Sequence, residues 1–319
     1  MVTIAAQGNH TLALLNDGTV RAWGDNEYGQ LGNSSIDYFS NVPITVNGLS
    51  DVISVSGGFY NSIALLADGT VRTWGYNQYG QLGNNSTTQS NVPVTVSGLS
   101  NVAAVTGGLY SSMAPLNDGT VRTWGSNSNG QLGNGTTTSS NVPVTVSGLN
   151  NVAGIAMGGG NGDFGLATRD SGGHSLALLA DGTVYSWGDN ASGQLGTGNN
   201  TNSTTPVNVP NLNGVISVAA GGYHSLALLN NGTMSTWGNN FFGQVNNNYS
   251  IGNVPNVRNL GNVTGVSGGF GHTMALLADG TVLASGFNYF GQVGNGTIGF
   301  GTGYFDTVRG LSGVAQPAR

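Results

Sequence analysis

The chain has 319 residues, with 13 acidic and 7 basic side chains, no lysine, no cysteine and a formal net charge of −6. Absent cysteine excludes disulfides, thiolate metal centres and cysteine nucleophiles, and so few basic groups exclude the clustered Lys and Arg that hold phosphate backbones or anionic membranes. No apolar run approaches the roughly 20 residues that span a bilayer, while 38% hydrophobic residues among 56 glycines still suffice for a packed core.

The first residues, MVTIAAQG (1–8), align with VISVAAGG (215–222), so the chain begins inside the last strand of a repeat. They lack the basic region and apolar stretch of a secretion signal. The repeat itself starts at Asp17 with DGTVRAWGDNEYGQLGN, and near-copies occupy 17–33, 68–84, 118–134, 181–197, 231–247 and 279–295. Self-similarity every fifty residues or so is the signature of a solenoid or propeller. It predicts one domain over 1–319.

The second repeat shows the plan. NSIALLA (61–67) is a short apolar run, Asp68-Gly69 follows, and TVRTW (70–74) alternates between faces. An apolar run, an Asp-Gly pair and an alternating run predict a β-hairpin with a two-residue type I′ turn. Each copy keeps the glycine, at Gly18, Gly69, Gly119, Gly182, Gly232 and Gly280, with Asn231 replacing Asp once. A polar loop with Gly80-Gln81-Leu82-Gly83 comes next, and PVTVSGL (93–99) and NVAAVTGG (101–108) read as two further strands of the same unit. Nothing in the period has the 3.6-residue spacing of an amphipathic helix. Four strands per repeat predict an all-β fold, a β-propeller of four-stranded blades. The tryptophans of Trp-Gly, Trp23, Trp74, Trp124, Trp187 and Trp237, are expected to wedge between blades, and the seam at Ser285, which replaces the sixth, is expected to be the loosest.

Between the third and fourth repeats the period is broken by NGDFGLATRDS (161–171), which concentrates Asp163, Phe164, Arg169 and Asp170 in a charge-poor chain. Loops grafted on a rigid scaffold commonly carry binding, and these four residues are candidate partner contacts. So are Arg21, Arg72 and Arg122, which share one strand position in repeats one to three and form a row suited to a carboxylate. The plainer reading of that row is solvated strand-face arginines that restrain edge pairing. His10, His174, His224 and His272 also share one position, with Asn61 and Ser111 in their place in repeats two and three. Imidazoles from neighbouring blades could converge on a metal ion, but a hydrogen bond holding each one in its own blade is preferred. No metal, cofactor or small-molecule substrate is therefore expected, and no catalytic residue. Gly294-Asn295-Gly296-Thr297-Ile298-Gly299 matches the dinucleotide pattern G-x-G-x-x-G only as letters, since no helix follows it. At the other end, VRGLSGVAQPAR (308–319) reaches the strand position at which the chain began. Overlapping ends predict closure by pairing the terminal strands in one blade.

The combination of GGYHSLALL (221–229), DGTVYSWGDNASGQLGTG (181–198) and PVTVSGL (93–99) resembles the repeat of the regulator of chromosome condensation family. The resemblance covers essentially the whole chain and implies a β-propeller of that type. Members typically have seven blades, whereas six repeats here predict six, with seven as the alternative. The resemblance further implies a non-catalytic scaffold that binds a protein partner through propeller faces and loops. A guanine nucleotide exchange activity is disfavoured, because the basic segments expected of that branch are missing. The rival reading is a structural subunit that assembles with copies of itself into an array or filament. A lysine-free composition rich in Asn, Thr, Ser and Gly is read as bacterial and extracellular or cell-surface.

Overall fold

The computed structural model describes residues 3–35, 37–160, 173–245, 252–311 and 313–314. Among the described residues it contains six four-stranded antiparallel sheets and no α-helix. Two compact units, Met1–Val152 and Ala153–Arg319, divide the chain.

In the first unit, blade 1 comprises β1 (Thr3–Gln7), β2 (His10–Leu14), β3 (Val20–Asp25) and β4 (Phe39–Thr45). Blade 2 comprises β5 (Val52–Gly57), β6 (Asn61–Leu66), β7 (Val71–Gly75) and β8 (Ser90–Thr95). Blade 3 follows with β9 (Thr106–Gly107), β10 (Ser111–Pro115), β11 (Val121–Gly125) and β12 (Ser140–Thr145). In the second unit, blade 4 comprises β13 (Val152–Gly158), whose first residue is the last of the first unit, β14 (His174–Leu179), β15 (Val184–Gly188) and β16 (Ser203–Asn208). Blade 5 is β17 (Val215–Ala220), β18 (His224–Leu229), β19 (Met234–Gly238) and β20 (Gly252–Arg258); blade 6 is β21 (Val263–Gly268), β22 (His272–Leu277), β23 (Val282–Asn288) and β24 (Gly299–Thr307). Among the described residues the architecture is a β-propeller of six blades, with no seventh.

Strand order within every blade follows the chain, which moves one boundary drawn from the sequence. The run NVAAVTGG (101–108) ends not as the fourth strand of its own repeat but as β9, the first strand of the next blade, paired to β10. Both terminal blades draw all four strands from consecutive chain, so no described sheet shares strands from the two ends. The expected closure by strand exchange is replaced by complete blades, because residues 3–7 themselves supply the first strand of blade 1.

The hairpin also differs from expectation. Gly69 donates its N–H to the Leu66 carbonyl at 2.9 Å while Leu66 donates to the Thr70 carbonyl at 2.9 Å, which makes Ala67, Asp68 and Gly69 a three-residue loop. Its type I turn is followed by one left-handed residue, Gly69 at φ 78°. Asp68 needs no positive φ. Its Oδ1 accepts from the Thr70 N–H at 2.9 Å and hydroxyl at 2.7 Å, and these bonds hold the carboxyl below its usual range. Asn231 does the same for Thr233, which explains why Asn replaces Asp at no cost in geometry.

The core lies between blades. β6 is almost wholly buried although its sequence is NSIALL, because a neighbouring sheet covers each face. Leu12, Leu14, Val20 and Leu31 of blade 1 pack with Val52, Val55, Ala64 and Trp74 of blade 2, and the same layer recurs between blades 2 and 3, 4 and 5, and 5 and 6. Trp74, Trp124, Trp187 and Trp237 are fully buried, whereas Trp23 is partly exposed.

One polar latch repeats in these seams. The Gln30 carbonyl on blade 1 accepts from Trp74 Nε1 at 2.8 Å and from Ser62 Oγ at 2.8 Å, both on blade 2. Ser62 Oγ spends its proton there and so accepts from His10 Nε2–H, 2.8 Å away, which fixes the imidazole as the Nε2–H tautomer. Gln194, Trp237, Ser225 and His174 repeat the pattern between blades 4 and 5. His10, His174 and His224 therefore join neighbouring blades, where hydrogen bonds inside each blade had been expected.

Between blades 5 and 6 the indole is missing, and its neighbours differ too. Elsewhere a glycine and a valine lie against the next blade's tryptophan: a Cβ on Gly32 would stand 2.6 Å from Trp74 Nε1 and 2.9 Å from Val46 Cγ1. In blade 5 the valine register holds Arg258, whose Nε donates to the Val245 carbonyl at 2.9 Å, and the sequence places Asn246 at the glycine register. Ser285 is buried. The histidine part of the latch survives, with Thr273 Oγ1 2.9 Å from both His224 Nε2 and the Gln244 carbonyl.

Candidate interaction surface

Antiparallel order decides which loops share an end of a blade. The first-to-second and third-to-fourth connections leave from one end, and the Asp-Gly hairpins leave from the other. The first end is aromatic in both units.

In the first unit, Tyr28, Phe59, Tyr60, Tyr76, Tyr79 and Tyr110 come from loops of blades 1, 2 and 3. Tyr28 lies 5.2 Å from Tyr60 and 4.8 Å from Tyr76 between ring centroids, both edge-on. Tyr60 stacks on Tyr110 at 5.9 Å and 17°, and Tyr79 meets Tyr110 at 4.9 Å. All six rings are half-buried. Local bonds set the loops: Asn77 Oδ1 accepts from Leu82 N–H at 2.9 Å, and Gln81 Oε1 accepts from Tyr79 N–H at 3.1 Å. Burial pushes the Tyr28 phenol up to about 12, with the Glu27 carboxylate adding to it, and burial also raises Tyr76 and Tyr110. These phenols stay neutral donors and acceptors at any physiological pH.

In the second unit the same end carries phenylalanine, on loops and on the adjoining ends of β23 and β24. Phe242 meets Phe287 at 4.6 Å and Phe300 at 5.2 Å, Phe241 meets Phe300 at 5.2 Å, and Tyr289 meets Phe290 at 5.1 Å. Phe290 is 70% exposed and Phe300 58%. An exposed cluster of large apolar rings marks an interaction site, and tyrosine supplies contact area with a polar tip at low entropic cost.

Sequence reasoning used these rings only as part of a repeated loop. The signal was available: the residue before Gly-Gln is Tyr28, Tyr79, Asn129, Ser192, Phe242 and Phe290 in successive repeats, aromatic in four and polar in two.

The residues singled out from the sequence lie elsewhere. Gly18, Gly69, Gly119, Gly182, Gly232 and Gly280 turn the hairpins at the opposite end, all with positive φ. Arg72 and Arg122 reach the threonine hydroxyls of their own hairpins at 3.4 Å, Arg21 bonds the Thr45 hydroxyl, and Asp68, Asp118 and Asp17 are lowered chiefly by hydrogen bonds from Thr70, Thr120 and Thr19, with a smaller contribution from each guanidinium. Each arginine is thus engaged within its own blade. Asp163, Phe164, Arg169 and Asp170 lie outside the described residues. Among the described residues no three His, Asp or Glu side chains are grouped to hold a metal ion.

Models of the regulator of chromosome condensation (RCC1) repeat match residues 17–65, 68–114, 118–161 and 181–228, and a second model of the same repeat matches 2–30, 52–81, 102–131, 215–244 and 263–292. The ultraviolet-B receptor UVR8 of Arabidopsis thaliana is 29% identical over 223 residues, 68% of this chain and 36% of that protein. The RCC2 homolog of Danio rerio is 39% identical over 88 residues, 27% of this chain and 18% of that protein. The probable E3 ubiquitin-protein ligase HERC6 of Homo sapiens is 43% identical over 76 residues, 23% of this chain and 7% of that protein. The chain thus spans about a third or less of the curated relatives it matches. Among solved structures, human WBSCR16 superposes with a TM-score of 0.83 at 24% identity, covering 97% of this chain and 82% of that one. Yeast RCC1 (Prp20) in its complex with Kap60 gives 0.81 at 24%, covering 96% and 74%.

Proposed function

The chain belongs to the regulator of chromosome condensation (RCC1) repeat family, and from that membership we propose that it is a non-catalytic scaffold whose aromatic loop end receives a protein partner. The observation that carries the reading is the cluster of Tyr28, Phe59, Tyr60, Tyr76, Tyr79 and Tyr110, six rings in contact and half open to solvent in one unit. Aromatic anchors beside neutral hydrogen-bonding tips are the chemistry of protein interface centres. Relatives support a protein as the partner class: the yeast protein is seen bound to Kap60, and its binding properties to Gsp1p and histones have been described. The scarcity of charge and the lysine-free composition support a bacterial, extracellular or cell-surface setting. The four residues of the 161–171 insertion remain proposed contacts, and Arg21, Arg72 and Arg122 a proposed carboxylate row at the opposite end.

The test is site-specific photo-crosslinking of the full chain, with p-benzoylphenylalanine at Tyr79 or Phe290 and, as a control at the hairpin end, at Asp118. In lysate and extracellular fractions of the source cells, a discrete protein adduct from position 79 or 290 and none from 118 is expected. Adducts from 118 alone, or none anywhere, overturn the reading.

Low charge together with exposed phenylalanines favours a second reading, self-assembly into an array. Light scattering separates the two: particles near 32.3 kDa support the scaffold, and polymers support the assembling subunit.

A further inference from the structure

The outermost strand of a blade presents an open edge, and proline is one way to blunt it, because it has no N–H to offer an incoming strand. Five of the six outer strands carry a proline at one register: Pro43 in β4, Pro93 in β8, Pro143 in β12, Pro206 in β16 and Pro255 in β20. Ladder parity shows why that register matters. Val96 N–H donates to the Val71 carbonyl at 3.1 Å, so Val96 and Val94 bond inward and the backbone of Pro93 faces outward.

In β24 the same register is Phe305. Val308 N–H donates to the Val282 carbonyl at 2.9 Å, and Asp306 stands opposite Ala284. The N–H and C=O groups of Phe305 and Thr307 therefore point away from β23. This strand is also the longest of the six, nine residues against six or seven. Its exposed face carries Tyr304, 66% exposed, with Asp306 two residues further on, while Phe305 packs inward against the Leu226 and Val263 cluster and Phe300, at a break in the register, meets Phe241 and Phe242 of blade 5. Among the described residues, five outer edges carry a proline at this register and the edge of β24 does not, which makes β24 the outer strand best suited to accept a further strand.

We propose that the outer edge of β24 is a β-augmentation site for an extended segment of a partner protein, one that carries an apolar and a basic side chain two residues apart, on one face. Main-chain hydrogen bonds to Phe305 and Thr307 supply binding, and side chains at alternate positions read the face. An apolar position covers Tyr304, 66% exposed. The basic residue answers Asp306, which accepts from Asn295 Nδ2 at 2.7 Å and to which no arginine bonds among the described residues. An acidic chain of net charge −6 further favours a cationic segment on encounter. A second copy fits poorly, since two β24 strands paired antiparallel through Phe305 and Thr307 would set Asp306 against its own counterpart. The proposal stands apart from the tyrosine surface.

The probe is a random ten-residue peptide library displayed on phage and selected on the immobilised full chain. Enriched peptides are expected to place an apolar residue two positions from a Lys or Arg, to bind Phe305→Pro at least tenfold more weakly, and to lose their basic preference on Asp306→Arg. Because Phe305→Pro also alters a packed ring, amide exchange on the unsubstituted chain gives a second reading. Bound peptide should slow exchange at Phe305 and Thr307 and leave the tyrosine loops unchanged. Failure to enrich any peptide, undiminished binding to a folded Phe305→Pro chain, or protection at other strands overturns the proposal. Concentration-dependent dimers with protection at Phe305 and Thr307 in the absence of peptide overturn it in favour of a second copy.

Discussion

Trp74 donates its indole N–H across a blade seam to the main-chain carbonyl of Gln30 at 2.8 Å, and the same carbonyl holds Ser62, the cross-strand neighbour of Trp74. One acceptor thus serves a hydrophobic wedge and a polar latch. Replacing Trp74 by Phe keeps much of the wedge and removes one donor, and is expected to cost about 1 to 2 kcal/mol. Trp74→Ala empties the site and is expected to cost about 3 to 5 kcal/mol. Urea unfolding of the two variants against the parent chain measures both.

The seam between blades 5 and 6 should behave as a coupled set. Ser285→Trp alone introduces an indole where Arg258 holds the register of a valine, and is expected to destabilise the chain. Adding Arg258→Val and Asn246→Gly restores the three residue types found together elsewhere, and most of the loss should return. A coupling of about 0.5 to 3 kcal/mol in the mutant cycle is expected. Strict additivity of the three changes, read from thermal midpoints, would show that they do not form a set.

Acid should loosen the latches through their buried histidines. Burial lowers His10 and His174 from 6.5 to about 4 and His224 to about 3, so between those values and 6.5 the unfolded chain binds protons that the folded chain refuses. Stability is therefore full above about pH 6.5 and falls as the pH drops toward 4. For His10 or His174 the full loss is about 3 kcal/mol. His174→Asn should flatten this part of the curve, as urea midpoints at pH 7.5, 5.5 and 4.5 would record.

The hairpin predicts an asymmetry between two adjacent residues. Gly69 at φ 78° becomes strained by any Cβ, and Gly69→Ala is expected to cost about 1 to 2 kcal/mol. Asp68→Asn should be close to neutral, because Asn231 already makes the same pair of bonds. Asp68→Ala, which removes both bonds to Thr70, should fall between them. Thermal unfolding ranks the three.

Much of the fold was legible because its unit is local. The Asp-Gly-Thr hairpin, the alternation of Thr70 to Trp74 and the fifty-residue period all act over a few residues, and they fix strands and their number without reference to anything distant. The turn type was misread for a related reason: Asp68 looked like a residue chosen for positive φ, and its actual service, two bonds to Thr70, shows only once the loop is built. The aromatic surface was less visible, since Tyr60, Tyr79 and Tyr110 are scattered over 51 positions and become neighbours only when three blades align their loops.

By itself the sequence determined a chain of four-stranded sheets with buried indoles, because hairpin chemistry and hydrophobic alternation are written in adjacent letters. Tertiary structure alone decided which blade owns the run at 101–108, that His10 reaches forward to Ser62, and that the backbone of Phe305 faces away from β23. Those outcomes depend on contacts between residues far apart in the chain and on which side of a ladder an amide faces, and strand pairing is what sets both.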